Sequence, residues 1–205
     1  ETMRILFLSD THGKHHELQN LPQADMIIHA GDITWHGTVE EVTDFVEWFG
    51  LLDYKYKIFI GGNHDFCLEE KEAETDQRFL PENCFYLCNS GITIKNIKIW
   101  GIPFFLSDDI NGLIPQQIAK IPLNTDILIT HNPPLGILDK STFGANMGDG
   151  DLQQRVKIIK PQYHLFGHIH ECYGVQRTNN NTTFTNGSVL DGNYNLVNEP
   201  IVFDL

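Results

Sequence analysis

Apolar positions along the chain fall into short unbroken runs separated by polar loops, with two longer stretches at helical spacing. Residues 4–9 (RILFLS) and 25–29 (DMIIH) read as buried strands, and 57–60 (KIFI), 126–130 (DILIT) and 163–166 (YHLF) repeat that character. Across 38–49, apolar residues recur at Val39, Val42, Phe45, Val46 and Phe49, the period of a helix, with Gly50 as the expected stop. A second helix is expected over 149–159, ending before Pro161. Segments 85–87, 92–94 and 97–100 read as short strands, with turns at Asn89-Ser90-Gly91 and near Asn96. Two or three further strands are expected after 166, and the Asn/Thr-rich stretch 178–183 reads as a hairpin turn between two of them. The early strands alternate with helices, as parallel strands do, whereas the late ones are split by tight turn chemistry and read as more antiparallel. The pattern therefore predicts an α/β fold with a mixed sheet, or two sheets packed together. No repeat, low-complexity tract or linker interrupts it, so one domain over 3–205 is expected. Residues 1–2 precede Met3 and read as a non-native scar.

Polar residues gather at one kind of place. Residues 4–9 lead into Asp10-Thr11-His12-Gly13 and 25–30 into Gly31-Asp32. Residues 57–61 lead into Gly62-Asn63-His64-Asp65, 126–130 into His131-Asn132, and 163–166 into Gly167-His168-Ile169-His170. Each cluster stands just past the end of a predicted buried strand, where α/β proteins bind their ligands. Asp10 and His12 are two residues apart, as are His168 and His170, so in extended backbone each pair faces one side. Glycine beside Asp32, Asn63 and His168 allows tight turns and close backbone approach.

Composition sharpens this picture. The 27 acidic residues against 14 basic ones give a net charge of −13, which disfavours duplex nucleic acid as a partner. Such a charge also repels anionic substrates unless bound cations reverse the local field. The ten histidines, together with this acidity, point to metal. Carboxylates, imidazoles and an amide, without thiolate, suit Mn, Fe, Co, Ni or Zn and are too rich in nitrogen for Ca or Mg cages. Asp10, His12, Asp32, Asn63, His131, His168 and His170 are more ligands than one tetrahedral ion uses, and Asp32 could bridge two ions. Cys67, Cys84, Cys88 and Cys172 match no zinc or disulfide spacing and read as reduced thiols. Apolar runs are too short to cross a bilayer, so no membrane partner is expected, and a cytoplasmic location is the default. Sequons at Asn180, Asn181 and Asn186 read as chance.

Taken in order, Asp10-x-His12, Gly31-Asp32, Gly62-Asn63-His64-Asp65, His131 and Gly167-His168-x-His170 resemble the motif series of the calcineurin-like metallophosphoesterase superfamily. Within it the chain most resembles the small MPPED-type metallophosphoesterase-domain proteins and their bacterial relatives. That likeness is carried by Pro133-Pro134-Leu135-Gly136, the stretch from Phe166 to Glu171 with Tyr173-Gly174, Asn186-Gly187-Ser188, and the ending from Pro200 to Leu205. The resemblance implies a four-layer α-β-β-α sandwich, two mixed sheets flanked by helices. It implies two divalent transition-metal ions, Mn first, with Fe, Zn, Co or Ni as alternatives. Asp10, His12, Asp32 and His170 would hold one ion, and Asp32, Asn63, His131 and His168 the other. A hydroxide bridging them would attack phosphorus, His64 would assist the leaving group, and Asp65 would orient His64. The activity implied is hydrolysis of phosphodiesters, with a small cyclic nucleotide as the leading substrate. A phosphomonoesterase or nuclease on the same site is the alternative, followed by a nucleotide-binding or scaffold protein of the same fold.

Other polar residues carry blander expectations. His29 reads as a hydrogen-bonded core histidine, and His15, His16 and His164 as surface or shell residues. His36 reads as a loop residue, Asp149 and Asp151 as helix caps, and Trp35, Trp48 and Trp100 as packing residues. Asn186 and Ser188 could touch a nucleotide.

Overall fold

The computed structural model describes residues 2–69, 80–178 and 181–205; Glu1 and the Asn180 sequon lie outside them. The first sheet holds β1 (Arg4–Leu8), β2 (Met26–His29), β3 (Tyr56–Phe59) and β4 (Cys84–Tyr86), with the C-terminal β11 (Ile201–Asp204) on the far side of β1. Strands β1 to β4 pair in parallel and β11 pairs antiparallel. The second sheet is built from β5 (Ser90–Ile94), β6 (Ile97–Ile102), β7 (Ile127–Thr130), β8 (Tyr163–Phe166), β9 (Gly174–Arg177) and β10 (Thr183–Asn186). Its order is β5-β6-β7-β8-β10-β9.

The late strands bear out the expectation of antiparallel pairing only in part: β11 and the hairpin strands follow it, and the middle of the second sheet does not. Within that sheet only the hairpins β5–β6 and β9–β10 are antiparallel; β6–β7, β7–β8 and β8–β10 are parallel. Parallel neighbours need a long crossover, and two short helices not foreseen from the sequence help to supply one. These are α2 (Leu106–Ile110) and α3 (Ile114–Ala119), which fall between β6 and β7. Pro115 sits in the first turn of α3, where its missing N–H costs nothing. The expected helices form as α1 (Val39–Leu51) and α4 (Gly150–Ile159). Thr38 and Glu41 make a reciprocal capping box at the start of α1, and Asp149 caps α4 by accepting from the Leu152 N–H at 2.7 Å. Gly50 does not stop α1, which runs one residue further. Its bare Cα instead gives room to Pro81, and its carbonyl accepts from Lys57 Nζ. The turn before β5 is also tighter than expected: Asn89 alone takes a left-handed φ of 50°, and Ser90 and Gly91 already pair with β6.

Alternation along the strands assigns the layers. In β1, Ile5 and Phe7 face the second sheet, where they join Ile28, Ile58, Ile99, Ile127, Ile129 and Leu165 in the central core. Leu6 and Leu8 face the other way, with Ile27, onto Phe45 and Phe49 of α1. The outer face of the second sheet packs Leu128, Phe166 and Phe184 against Ile114 and Ile118 of α3 and Leu152, Val156 and Ile159 of α4. The result is helix, sheet, sheet, helix.

Candidate metal centre

The two sheets meet where the predicted polar clusters lie. The Ser9 N–H donates to the Gly187 carbonyl at 2.8 Å, and the Gly187 N–H donates to Phe166 at 2.9 Å. These bonds stitch the end of β1 to the ends of β8 and β10, so loops from both sheets converge on one rim. Four of the predicted ligands hold left-handed backbone there: Asp10 (φ 57°), His12 (φ 43°), Asp32 (φ 54°) and His168 (φ 68°). That conformation costs a residue with a Cβ about 1–2 kcal/mol, and such outliers gather at functional sites. Two glycines make the approach possible. A Cβ on Gly62 would collide with the carboxylate and backbone of Asp32, and one on Gly167 with the carboxylate of Asp10 and the hydroxyl of Ser9.

Side-chain donors then fall into overlapping groups: Asp10, His12 and His170; His12, Asp32 and His64; Asp32, His131 and His168. Asp32 Oδ2 lies 3.5 Å from His12 Nε2 and 3.4 Å from His131 Nε2, so it sits between the two sides. His170 Nε2 is 3.5 Å from Asp10 Oδ1 and 3.4 Å from His12 Nε2. Asn63 Oδ1 is 3.0 Å from His131 Nε2. Ligands at metal–nitrogen distances near 2.05 Å stand about 3.3 Å apart in a tetrahedron, which is the spacing seen. All seven predicted ligands are thus brought together.

Hydrogen bonds set which nitrogen faces inward. His131 Nδ1 lies 2.8 Å from the Ala30 carbonyl and His170 Nδ1 lies 3.0 Å from the Asp191 carbonyl. A carbonyl only accepts, so both rings carry a proton on Nδ1 and, when neutral, turn an Nε2 lone pair into the cluster. Asp10 is fully buried and accepts from the Ser188 hydroxyl at 2.8 Å and the His168 N–H at 3.1 Å. Burial pushes its pKa up, but the His170 hydrogen bond and the charges of His131, His170 and His12 outweigh burial and hold it well below the ordinary carboxylate value. Burial likewise opposes the ionised form of Asp32, and His131 overrides it. Reciprocally, burial disfavours a charged His131, yet Asp32, Asp10 and the Ala30 carbonyl lift it to about 9. Burial wins at His12 and His168, which fall to about 4. Two ionised buried carboxylates face imidazoles that are neutral at His12 and His168 and that would release an Nε2 proton at His131 and His170 to a bound ion, a donor set that fits divalent transition metals.

His64 stands beside this cluster. Its backbone N–H donates to Asp32 Oδ1 at 2.8 Å, and its Nδ1 donates to the Trp35 carbonyl at 2.9 Å, leaving Nε2 free. Its ring meets that of His12 edge-on, with centroids 4.7 Å apart. The expected role of Asp65 is corrected. Asp65 does not touch the His64 ring; its oxygens accept from the N–H groups of Gly62, Ile33 and Thr34 and from the Thr34 hydroxyl. It therefore ties the Asp32 loop to the Asn63 loop, and Trp35 supplies the partner that orients His64. Burial, reinforced by the charge on Asp32, raises the Asp65 pKa to about 6.

Asn186 and Ser188 are also corrected. Both are fully buried, so neither can reach a nucleotide. Asn186 Nδ2 donates to the Ile169 carbonyl at 2.9 Å and holds the His168 loop, while Ser188 supports Asp10. His164, expected as a surface or shell residue, is fully buried on Thr130 Oγ1 at 2.8 Å, whereas His29 is the expected core histidine, bonded to Thr11 Oγ1 at 3.0 Å. His36 lies out on its loop near Glu41. Trp35 does more than pack: with Tyr194 it walls the site, their rings 4.6 Å apart and each edge-on to His12.

A cavity of about 170 Å³ opens over the cluster, lined by His12, Asp32, Asn63, His64, His168, His170, Glu171, Gly192 and Tyr194. Sequence reasoning missed Tyr194, Asp191 and Glu171. The stretch Asp191-Gly192-Asn193-Tyr194 reads as an ordinary turn, and only the left-handed φ of 61° at Tyr194, visible in the fold, turns it toward the site.

The family described as calcineurin-like phosphoesterase matches residues 3–172. Metallophosphoesterase domain-containing protein 1 of Homo sapiens is 37% identical, over 98% of this chain and 71% of that protein. A UPF0046 protein of Caenorhabditis elegans is 34% identical, over 99% of this chain and 81% of its own length. Among solved structures, GAP50, the anchor in the inner membrane complex of Plasmodium, superposes with a TM-score of 0.56 at 11% identity. It covers 100% of this chain and 81% of that one, a likeness of fold alone.

Proposed function

The chain belongs to the calcineurin-like phosphoesterase family, and from that membership, which makes it a metal-dependent phosphoesterase, we propose that it hydrolyses small phosphodiesters at a two-ion centre. Asp10, His12, Asp32 and His170 hold one divalent ion, and Asp32, Asn63, His131 and His168 hold the other. The observation that carries this reading is the position of Asp32, with Oδ2 3.5 Å from His12 on one side and 3.4 Å from His131 on the other. When bound, two such ions supply Lewis acidity at phosphorus and lower the pKa of water.

The chain's own groups do the rest. The Ala30 and Asp191 carbonyls hold the Nδ1–H of His131 and His170 and keep Nε2 turned inward, so the rings need not turn on binding. His64, fixed at Nδ1 by Trp35, points Nε2 at the departing oxygen and, as the imidazolium, hands it the Nε2 proton, a general-acid role. Among the described residues no Lys or Arg lines the cavity, and Glu171 does. The Glu171 carboxylate repels the second negative charge of a monoester dianion, a charge that a diester lacks. This asymmetry supports diesters. The net charge of −13 and the small cavity support a small substrate over a nucleic-acid duplex. Trp35, partly exposed beside His12 and His64, favours a nucleoside group, so a cyclic nucleotide is the first substrate to try. Manganese is the ion to try first.

The test is hydrolysis of bis(p-nitrophenyl) phosphate against p-nitrophenyl phosphate by chelator-stripped protein restored with Mn, Co, Ni, Zn or Mg. Metal-dependent turnover favouring the diester supports the reading. Faster monoester turnover would replace it with a phosphomonoesterase. No turnover in protein carrying two ions would replace it with a nucleotide-binding or scaffold role.

A further inference from the structure

A second group of metal-capable side chains lies outside the centre. His15 and His16 stand on the short 3-10 turn that follows the Asp10–His12 loop, and Asp44 stands on the outer face of α1. His15 Nε2 is 3.0 Å from Asp44 Oδ2, and His16 Nε2 is 3.1 Å from both oxygens of the same carboxylate. We propose that His15, His16 and Asp44 form a one-ion site of the two-histidine, one-carboxylate kind, which takes a borderline divalent cation such as Zn²⁺ or Ni²⁺.

Cis ligands of an octahedral ion with bonds near 2.1 Å stand about 3.0 Å apart, which is the distance from each imidazole to the shared carboxylate. Two imidazoles and one carboxylate are the ligand types that zinc and nickel prefer, and three protein ligands leave water to complete the shell. The alternative is an ordinary surface histidine–carboxylate contact, worth about 0–1 kcal/mol. Two features separate the cluster from that. Both rings converge on one carboxylate, where a single histidine would satisfy it, and His15 is held there by packing. Its side chain is only 1% exposed, with its ring 5.5 Å from Phe45 and 5.0 Å from Trp48. A carboxylate only accepts, so without an ion His15 donates its Nε2–H to Asp44, and an ion taking Nε2 would move that proton to Nδ1, which is buried without a hydrogen-bond partner. His16 and Asp44 are more than half exposed, at 58% and 55%, which leaves a path for the ion. Glu40 and Glu47 lie one helical turn on either side of Asp44 and add negative field. An ion here would clamp the segment after Asp10–His12 to α1.

Equilibrium dialysis of the full chain against buffered Zn²⁺, with bound metal counted, tests this. His16→Ala and Asp44→Asn should each bind one ion fewer than the unaltered protein, or bind that ion at least about tenfold more weakly. Zinc should also slow diethyl pyrocarbonate labelling of His16, read by peptide mass. His170→Ala, which disturbs the centre, should leave that protection intact. The difference between unaltered and His16→Ala protein reports this site alone, and the ions left in His16→Ala report the centre, so either can fail separately. Equal zinc counts in all three proteins, with His16 labelled as fast with zinc as without, would overturn the proposal.

Discussion

His164 and His170 lie six residues apart on one stretch of chain, and both are buried, yet their surroundings are opposite. His164, inside β8, rests among the rings of Phe166 and Phe184, with Nε2 on the Thr130 hydroxyl and no carboxylate in contact. That hydroxyl donates onward to the Asn132 carbonyl at 2.6 Å, so the ring nitrogen is the donor and its lone pair faces packed side chains. His170, beyond the strand, gives its Nδ1 proton to Asp191 and turns Nε2 toward Asp10. Burial alone drives the His164 pKa down to about 3. At His170 burial also pulls downward, but the Asp10 hydrogen bond and charge overcome it and the pKa rises. His29 and His131 repeat the contrast, at about 3 and about 9. Burial does not make a histidine a ligand; what matters is which nitrogen a neighbour occupies and whether a carboxylate waits at the other.

The sharpest break of this comparison is removal of one ring from each class. His170→Ala should lose bound metal and cut turnover by at least about 100-fold, the upper range for loss of support at a metal site. It should unfold at nearly the same denaturant midpoint when metal is absent. Bound metal would be counted after dialysis. An unchanged count with unchanged turnover would remove His170 from the centre and place it with His164.

His64→Ala comes next. It stands beside the cluster with Nδ1 held by Trp35, so its loss should leave the metal count alone and reduce turnover of an alkyl phosphodiester about 10²–10⁴-fold. With p-nitrophenolate, which leaves without a proton, the loss should shrink. Equal losses on both substrates would exclude the general-acid role.

The legible part of this molecule was the part written in local chain. The apolar runs before Asp10, Asp32, Asn63, His131 and His168 mark β1, β2, β3, β7 and β8, because a strand buried on both faces needs such a run. The candidate ligands follow from their place just beyond those strands. What sequence could not give were partners fixed by long-range geometry. Asp65 looks like a companion of His64 because it is adjacent, yet its oxygens are spent on loop N–H groups about thirty residues away. Tyr194, Asp191 and Ser188 reach the site only because β10 returns beside β8. The helices α2 and α3 were missed because five and six residues are too few to show a period.

His164→Ala should give the mirror image of His170→Ala: metal and turnover kept, stability lost. Leaving the buried Thr130 hydroxyl without its partner costs about 1–3 kcal/mol, to which the lost packing adds. The pH dependence carries a sign. His164 and His29 each fall from 6.5 to about 3 on folding, so between those values the unfolded chain holds more protons than the folded one. Stability is therefore whole above pH 6.5 and is lost as pH falls toward 3, by up to ~1.4 kcal/mol per pH unit for each ring. In metal-free protein, His164→Ala should flatten that acid slope by about one proton, read from urea midpoints between pH 4 and 6.5. An unchanged slope would mean that His164 is protonated in the fold.

The smallest effect tests the cavity rim. Glu171 lines the cavity, and its Oε1 accepts from the Thr142 hydroxyl at 3.3 Å. Its charge acts on the second negative charge of a monoester, which a diester lacks, and two like charges about 6 Å apart at an effective dielectric near 40 repel by about 1.4 kcal/mol. Glu171→Gln keeps the shape and removes the charge. The monoester-to-diester ratio of kcat/KM should then rise by up to about tenfold, chiefly through monoester KM, and the gain should fade in high salt as screening replaces the mutation. A ratio that stays put at low salt would show that diester preference comes from the shape of the cavity around Tyr194 and Trp35, and not from the charge at its edge.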